Sequence, residues 1–181
     1  IIGSPTEIMA YGMPYKLLWN ELSKVNPDYR SICTNFINFY SNYTYRDTPY
    51  PYGTISVIDC SQVEGMVNIM KEINASSSLS TVVESDIQSM DGYVPSIFYD
   101  MGDYVRKLAQ NEPLLLAKFN RQLDRLVPEK GHTADYYTSI RTDGISVIPI
   151  QTYSGITISD PSTNSNVTSS LSSNRYYQAT H

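Results

Sequence analysis

Peptide hydrolysis without a metal needs a nucleophile with a base in reach, and a hydrolytic metal site needs several ligands converging on one point. The 181-residue chain offers two Cys, Cys33 and Cys60, and two His, His132 and His181. Cys33 lies on the stripe Ile32, Cys33, Phe36, Ile37 and Tyr40, whose spacing predicts the buried face of a helix and makes this thiol a packing residue. Cys60 follows a β-branched run at the start of the next helix. A helix N-terminus can lower a thiol pKa, but the apolar pattern around Cys60 suits a buried packing role equally, and the sequence leaves a pairing with His132 open. His181 is the last residue, where fraying works against a fixed geometry.

Among the acids, Asp59 stands at the end of a strand, where side chains of α/β sheets line active sites, but it also stands where a turn needs a cap. Asp86, Asp91, Asp100 and Asp103 are oxygen donors in one region. Gln88 and Met90 fall where an EF-hand loop needs oxygen ligands, so these acids read as solvated. The sequence contains no Walker loop, dinucleotide fingerprint or zinc-ligand spacing. With a net charge of -5 it has no bulk attraction for nucleic acid or anionic lipid, and no apolar run approaches the roughly 18 residues of a membrane span. The 16 Tyr against 4 Phe place many aromatic rings where one end can be wet, which suits a polar-surfaced, exported protein.

The elements that must position these residues follow from periodicity. Ile1 to Gly3 reads as a buried strand, and its apolar start predicts that further sequence precedes it. Pro5, Gly12 and Pro14 bound a loop, and a helix then carries Tyr15, Leu18, Leu22 and Val25 on one face, widened by Trp19. A second helix begins near Asp28. Thr44 to Gly53, with its Pro and Tyr residues, reads as a loop. Thr54 to Ile58 is a strand that turns through Asp59-Cys60-Ser61 into a helix capped by Ser61 with Glu64, its face made by Val63, Met66, Val67, Met70 and Ile73. The Ser-rich stretch Ala75 to Thr81 marks a boundary between residues 1–75 and 76–181. Beyond it come helices at Met101 to Leu108 and after Pro113, with Leu116, Phe119, Leu123 and Leu126 inward. Strands follow at Tyr136 to Ile140, Ile145 to Ile150 and Ile156 to Ile158, then a polar surface stretch from Asp160 to Ser173.

Taken in order, GSPTEIMAYGMPY, TISVIDCSQVEGM, YSGITIS and the closing NRYYQATH resemble the C-terminal half of clostripain-like cysteine peptidases (family C11, caspase-like clan), especially forms from gut Bacteroidales. The likeness covers most of the chain, and the first two segments are its most specific part. It implies an α/β fold: residues 1–75 as part of a caspase-like sheet with flanking helices, and 76–181 as a C-terminal α+β subdomain. It also implies a secreted, periplasmic or cell-surface cysteine endopeptidase that cleaves after Arg or Lys. In that family the catalytic His and Cys both precede the segment matching Ile1 to Tyr15, so the resemblance implies no catalytic residue here and a partner, the N-terminal fragment carrying His and Cys. The loop Glu7 to Met13 would border the substrate cleft, with Glu7 attracting a basic peptide side chain and Tyr11, Gly12 and Met13 shaping the rim. The calcium dependence of some relatives finds no identifiable ligands, and the sequence assigns no cofactor. The competing expectation is a non-catalytic relative kept for binding, its Tyr residues forming a peptide or glycan surface.

Overall fold

The computed structural model describes residues 1–141, 144, 146–159 and 173–180. His181 and nearly all of the Asp160 to Ser173 stretch lie outside the described residues. The architecture is mixed α/β and is organised around β4, Thr54–Val57, whose four residues are all buried. A run rich in β-branched residues buried on both faces needs a partner on each edge, because backbone N–H and C=O groups out of water must be paired. Both edges are filled by antiparallel neighbours: β1 (Ile2–Gly3) on one side, with Ile2 opposite Val57, and β6 (Glu129–His132) on the other, with Thr54 opposite His132. The pairing continues one residue past β1, where the Ile58 N–H donates to Ile1 O at 2.7 Å and the Ile1 amino group donates to Ile58 O at 2.8 Å.

Side chains of β4 alternate between two faces. Ile55 and Val57 pack against α2 (Tyr29–Ser41), whose Ile32, Cys33, Phe36 and Tyr40 form the expected buried stripe together with Leu18 of α1 (Tyr15–Leu22). Asp28 caps α2 by accepting from the Ser31 N–H at 3.2 Å and the Ser31 hydroxyl at 2.7 Å. A second core joins α3 (Val63–Asn74), α4 (Met101–Leu108) and α5 (Pro113–Leu126) through Met66, Met70, Ile73, Met101, Val105, Phe119, Leu123 and Leu126. Because α3 packs on α5 and β4 pairs with β6, contacts run across residue 75. Among the described residues three two-stranded ladders complete the fold. They are β2 (Thr44–Tyr45) with β3 (Thr48–Pro49), β5 (Phe98–Asp100) with β9 (Thr157–Ser159), and β7 (Asp135–Tyr137) with β8 (Val147–Pro149). A last helix spans Arg175–Thr180.

Several local expectations are corrected. The loop at Thr44 to Gly53 begins as a hairpin, closed by Arg46 and Asp47 at φ of 49° and 62°, the left-handed pair that a two-residue turn requires. Of the α1 face, only Leu18 is buried. Tyr15 and Trp19 are 65% and 63% exposed, and the helix stops at Leu22, before Val25. Val63 is also exposed. Ser61 is not the cap: Asp59 Oδ1 accepts both the Ser61 N–H (2.9 Å) and the Ser61 hydroxyl (2.7 Å), closing a 3-10 turn at Cys60–Gln62 that runs into α3. The acid wins because a carboxylate is the stronger acceptor for amides at a helix start. That turn aims Cys60 outward, so its thiol is exposed and not buried as its apolar neighbours suggest.

The two Ser61 hydrogen bonds, first the hydroxyl and then the backbone N–H, hold the Asp59 carboxyl below its ordinary pKa. A folded-state pKa lowered in this way contributes stability above the unfolded pKa of about 3.9 and loses it as pH falls through the lower folded value. Asp59→Ala is therefore expected to lower the urea midpoint at pH 7, and the gap from the parent chain should narrow as the pH falls below the unfolded value of about 3.9. A gap that stays constant with pH would show that the cap does not act through its charge.

Candidate functional site

The loop between β1 and α1 is anchored from beneath by hydroxyls. Thr54, fully buried in β4, needs a partner for its Oγ1 and finds two, Thr6 Oγ1 at 2.7 Å and Ser4 Oγ at 2.8 Å. The Ser4 hydroxyl also donates to Thr6 O at 2.9 Å. Glu7 is the next residue, and this three-hydroxyl cluster fixes where its backbone leaves the sheet.

The Glu7 carboxylate reaches 132 residues along the chain. Its Oε2 accepts the Ser139 N–H at 2.7 Å, and its Oε1 accepts the Ser139 hydroxyl. Beside this pair opens a cavity of about 290 Å³, bounded by Glu7, Met90, Tyr93, Phe98, Tyr136 and Ile140 among others. Its walls are held firmly. The Tyr136 hydroxyl donates to Asp91 O at 2.9 Å, and burial pushes its pKa up to about 12, so it stays a donor through the neutral range. Asp91 folds its own loop by accepting the N–H groups of Tyr93 (3.0 Å), Ile97 (2.8 Å) and Phe98 (2.6 Å). Gly92 sits so close to Thr138 that an added Cβ would lie 2.0 Å from its Oγ1, which only a residue without a side chain permits.

Tyr11, Gly12 and Met13 do not reach this cavity. Tyr11 packs its ring on Phe39 and Tyr43 at centroid distances of 5.0 and 5.8 Å, Gly12 turns at φ 71°, and Met13 packs against the core under α2. The Tyr40 hydroxyl donates to Gly12 O at 2.5 Å and ties this end of the loop to α2. One loop thus has two faces, Glu7 toward the cavity and Tyr11 to Met13 toward α2.

The nucleophile and base candidates are kept apart. Cys33 is buried, and burial, reinforced by the charge of Glu129, pushes its thiol up to about 11, which leaves it protonated and inert. His132 pairs with Thr54 at the start of β4, while Cys60 follows the end of that strand, so the ladder separates them. The His132 ring lies against Tyr153 at 4.9 Å, with Nδ1 2.8 Å from Thr133 O. The acids read as solvated are mostly structural. Asp100 and Asp103 are buried, with Asp100 accepting from the N–H groups of Asp103 (2.9 Å) and Ser154, and Asp103 accepting from the Gln88 N–H (2.8 Å) and Arg106. Among the described residues no group of three or more His, Cys, Asp or Glu gathers to hold a metal ion, and no helix is long and apolar enough to cross a membrane.

Burial, reinforced by Tyr43 and Tyr11, raises the Tyr40 pKa to about 12. Between the ordinary value near 10 and that folded value, the unfolded chain loses the proton first, so stability falls as pH rises through this window. Tyr40→Phe should cost about 0.5–1.5 kcal/mol at pH 7 by removing the donor to Gly12 O, and should flatten the loss of stability above about pH 10. Urea titrations at pH 7 and in the alkaline range measure both effects.

Comparison with known proteins places this geometry. Residues 1–171 match the family model described as the clostripain family, C11 peptidases. No curated protein matches the chain. Among solved structures, a clostripain from Bacteroides thetaiotaomicron in complex with the peptide inhibitor BTN-VLTK-AOMK is 45% identical, with a TM-score of 0.86 over 99% of this chain and 75% of its own. A secreted C11 cysteine protease from the same species, iotapain, is also 45% identical with a TM-score of 0.86, and 48% of its chain is covered. An inactive zymogen C11 protease from Parabacteroides distasonis is 27% identical, with a TM-score of 0.82 over 100% of this chain and 51% of its own. The chain thus spans about half the length of two of these relatives and three quarters of the other.

Proposed function

The chain belongs to the clostripain family of cysteine peptidases, and we propose that it forms the substrate-binding part of a peptidase that cleaves after Arg or Lys. The observation that carries this reading is the Glu7 carboxylate at the edge of an otherwise largely apolar cavity. Lys and Arg are long apolar stems ending in a cation, so a pocket with walls of Met90, Phe98, Tyr136 and Ile140 and a carboxylate at its edge matches both parts of such a side chain. A carboxylate has about four acceptor positions, and Ser139 occupies one on each oxygen, which leaves capacity for an ammonium or guanidinium group. A relative similar along nearly the whole chain is bound to an inhibitor whose sequence ends in Lys.

In this reading the hydrolytic His and Cys are carried by a segment outside the chain. Neither thiol here fits the nucleophile's role, Cys33 being buried and Cys60 separated from His132 by the length of β4. Residues 1–75 supply part of a caspase-like catalytic sheet with the cleft loop, and 76–181 form the C-terminal subdomain that contributes the far wall of the cavity. Tyr11, Gly12 and Met13 shape the rim indirectly, by fixing the far end of the loop on α2. The protein acts outside the cytoplasm, secreted, periplasmic or at the cell surface, in line with a relative described as secreted.

Two measurements test the reading. The 181-residue chain alone should show no amidase activity on Lys or Arg reporter peptides, and turnover that vanished on Cys60→Ala would overturn the external dyad. Combined with the segment carrying His and Cys, it should cleave Lys and Arg reporters in preference to Leu. Glu7→Ala should reduce that preference about tenfold or more while leaving association of the two parts, followed by ultracentrifugation, unchanged.

A further inference from the structure

Glu7 has three side-chain torsions and no regular secondary structure around it, so an untethered carboxylate would sweep a wide arc across the cleft edge. Among the described residues its carboxylate is met by Ser139, which reaches both oxygens at once through its backbone N–H and its hydroxyl. Two bonds from one residue to two carboxylate oxygens fix the plane of the group as well as its position.

Ser139 is itself held. Thr138 is 1% exposed, and its N–H donates to Ser146 O at 2.9 Å, extending the β7–β8 pairing. Thr138 Oγ1 accepts the Ile140 N–H at 3.3 Å, closing a turn around Ser139, and the Thr138 side chain abuts Gly92. Tyr136, two residues earlier, is fixed by its bond to Asp91 O. The backbone that presents Ser139 is therefore set by the C-terminal subdomain, whereas the backbone that presents Glu7 is set by Thr6 on the sheet.

We infer that Ser139 is a positioning residue for specificity, its N–H and hydroxyl aiming the Glu7 carboxylate at the end of a basic substrate side chain. This rests on the reading of Glu7 given above. A purely structural tie would act differently, since loosening the loop would lower stability and affect all substrates alike. Positioning acts on the cationic side chain alone, so its loss falls on the KM of Lys and Arg substrates.

The test uses the full peptidase with its catalytic segment. Ser139→Ala keeps the N–H bond and removes the hydroxyl bond. It is expected to raise KM for Lys and Arg reporters about tenfold, with kcat within about twofold and cleavage of a Leu reporter unchanged. Ser139→Thr, which restores the hydroxyl, should recover the parent KM. If Ser139→Ala does not fold, Ser139→Cys, close in volume and a weak donor, is expected to give the same split. Equal losses on Lys, Arg and Leu reporters, or failure of Ser139→Thr to recover KM, would overturn the inference. Glu7→Gln separates the two levels. If it abolishes the basic preference while Ser139→Ala leaves KM unchanged, only the positioning role falls; if Glu7→Gln leaves the preference intact, the role of Glu7 and this inference fall together.

Discussion

The pairing of β4 on both edges is the constraint on which the rest of the molecule depends. Four consecutive buried residues leave no water for the backbone, so β1 and β6 must dock in one register. That register places Ile55 and Val57 against α2. It also buries the Thr54 hydroxyl, which would be costly without a partner. Ser4 and Thr6 meet this need, and in doing so they fix the point from which Glu7 departs. A core requirement in one strand thus becomes a positional requirement at the cavity.

The opposite face of β4 is set by close approach. Gly155, at φ 83°, lies where an added Cβ would come within 2.8 Å of Val127 and 3.1 Å of Ser56, so the segment after β8 can pass tightly over the sheet. Tyr153 reaches beneath it to donate to Ile55 O at 3.0 Å. These contacts seat the segment around Tyr153 to Gly155 on the sheet. They bring the β7–β8 ladder near the Glu7 loop, so the cavity is shared between parts of the chain separated by more than a hundred residues.

The electrostatics divide in the same way. Asp28, Asp59, Asp91, Asp100 and Asp103 all accept from backbone N–H groups at turns and helix starts or beside them. Glu7 also accepts a backbone N–H, but its partner lies 132 residues away, against 54 for Asp100 and Ser154, and the residue lines a largely apolar cavity.

Local pattern determined much by itself. The α2 stripe, α4, the start of α5 at Pro113, the β4 run and the family resemblance were legible because each is a contiguous signal: helical periodicity, a helix-start proline or a β-branched run. The pairing of strands was not. Glu129–His132 is one of the two partners of β4, yet Glu-Lys-Gly-His has no β-branched residue, and its strand character comes only from the edge it completes. Phe98–Asp100 is only three residues long and becomes a strand by pairing with β9, although Phe and Tyr favour strands. The exposure of Tyr15 and Trp19 could not be read either, since an amphipathic pattern does not say how much of its face a neighbour covers. The resemblance of its segment singles out Glu7, whereas Ser139, Tyr136 and Thr138 carry no local sign that they lie beside it. A hydrogen bond spanning 132 residues is decided by how distant parts of the chain pack together, and only the tertiary structure contains that information.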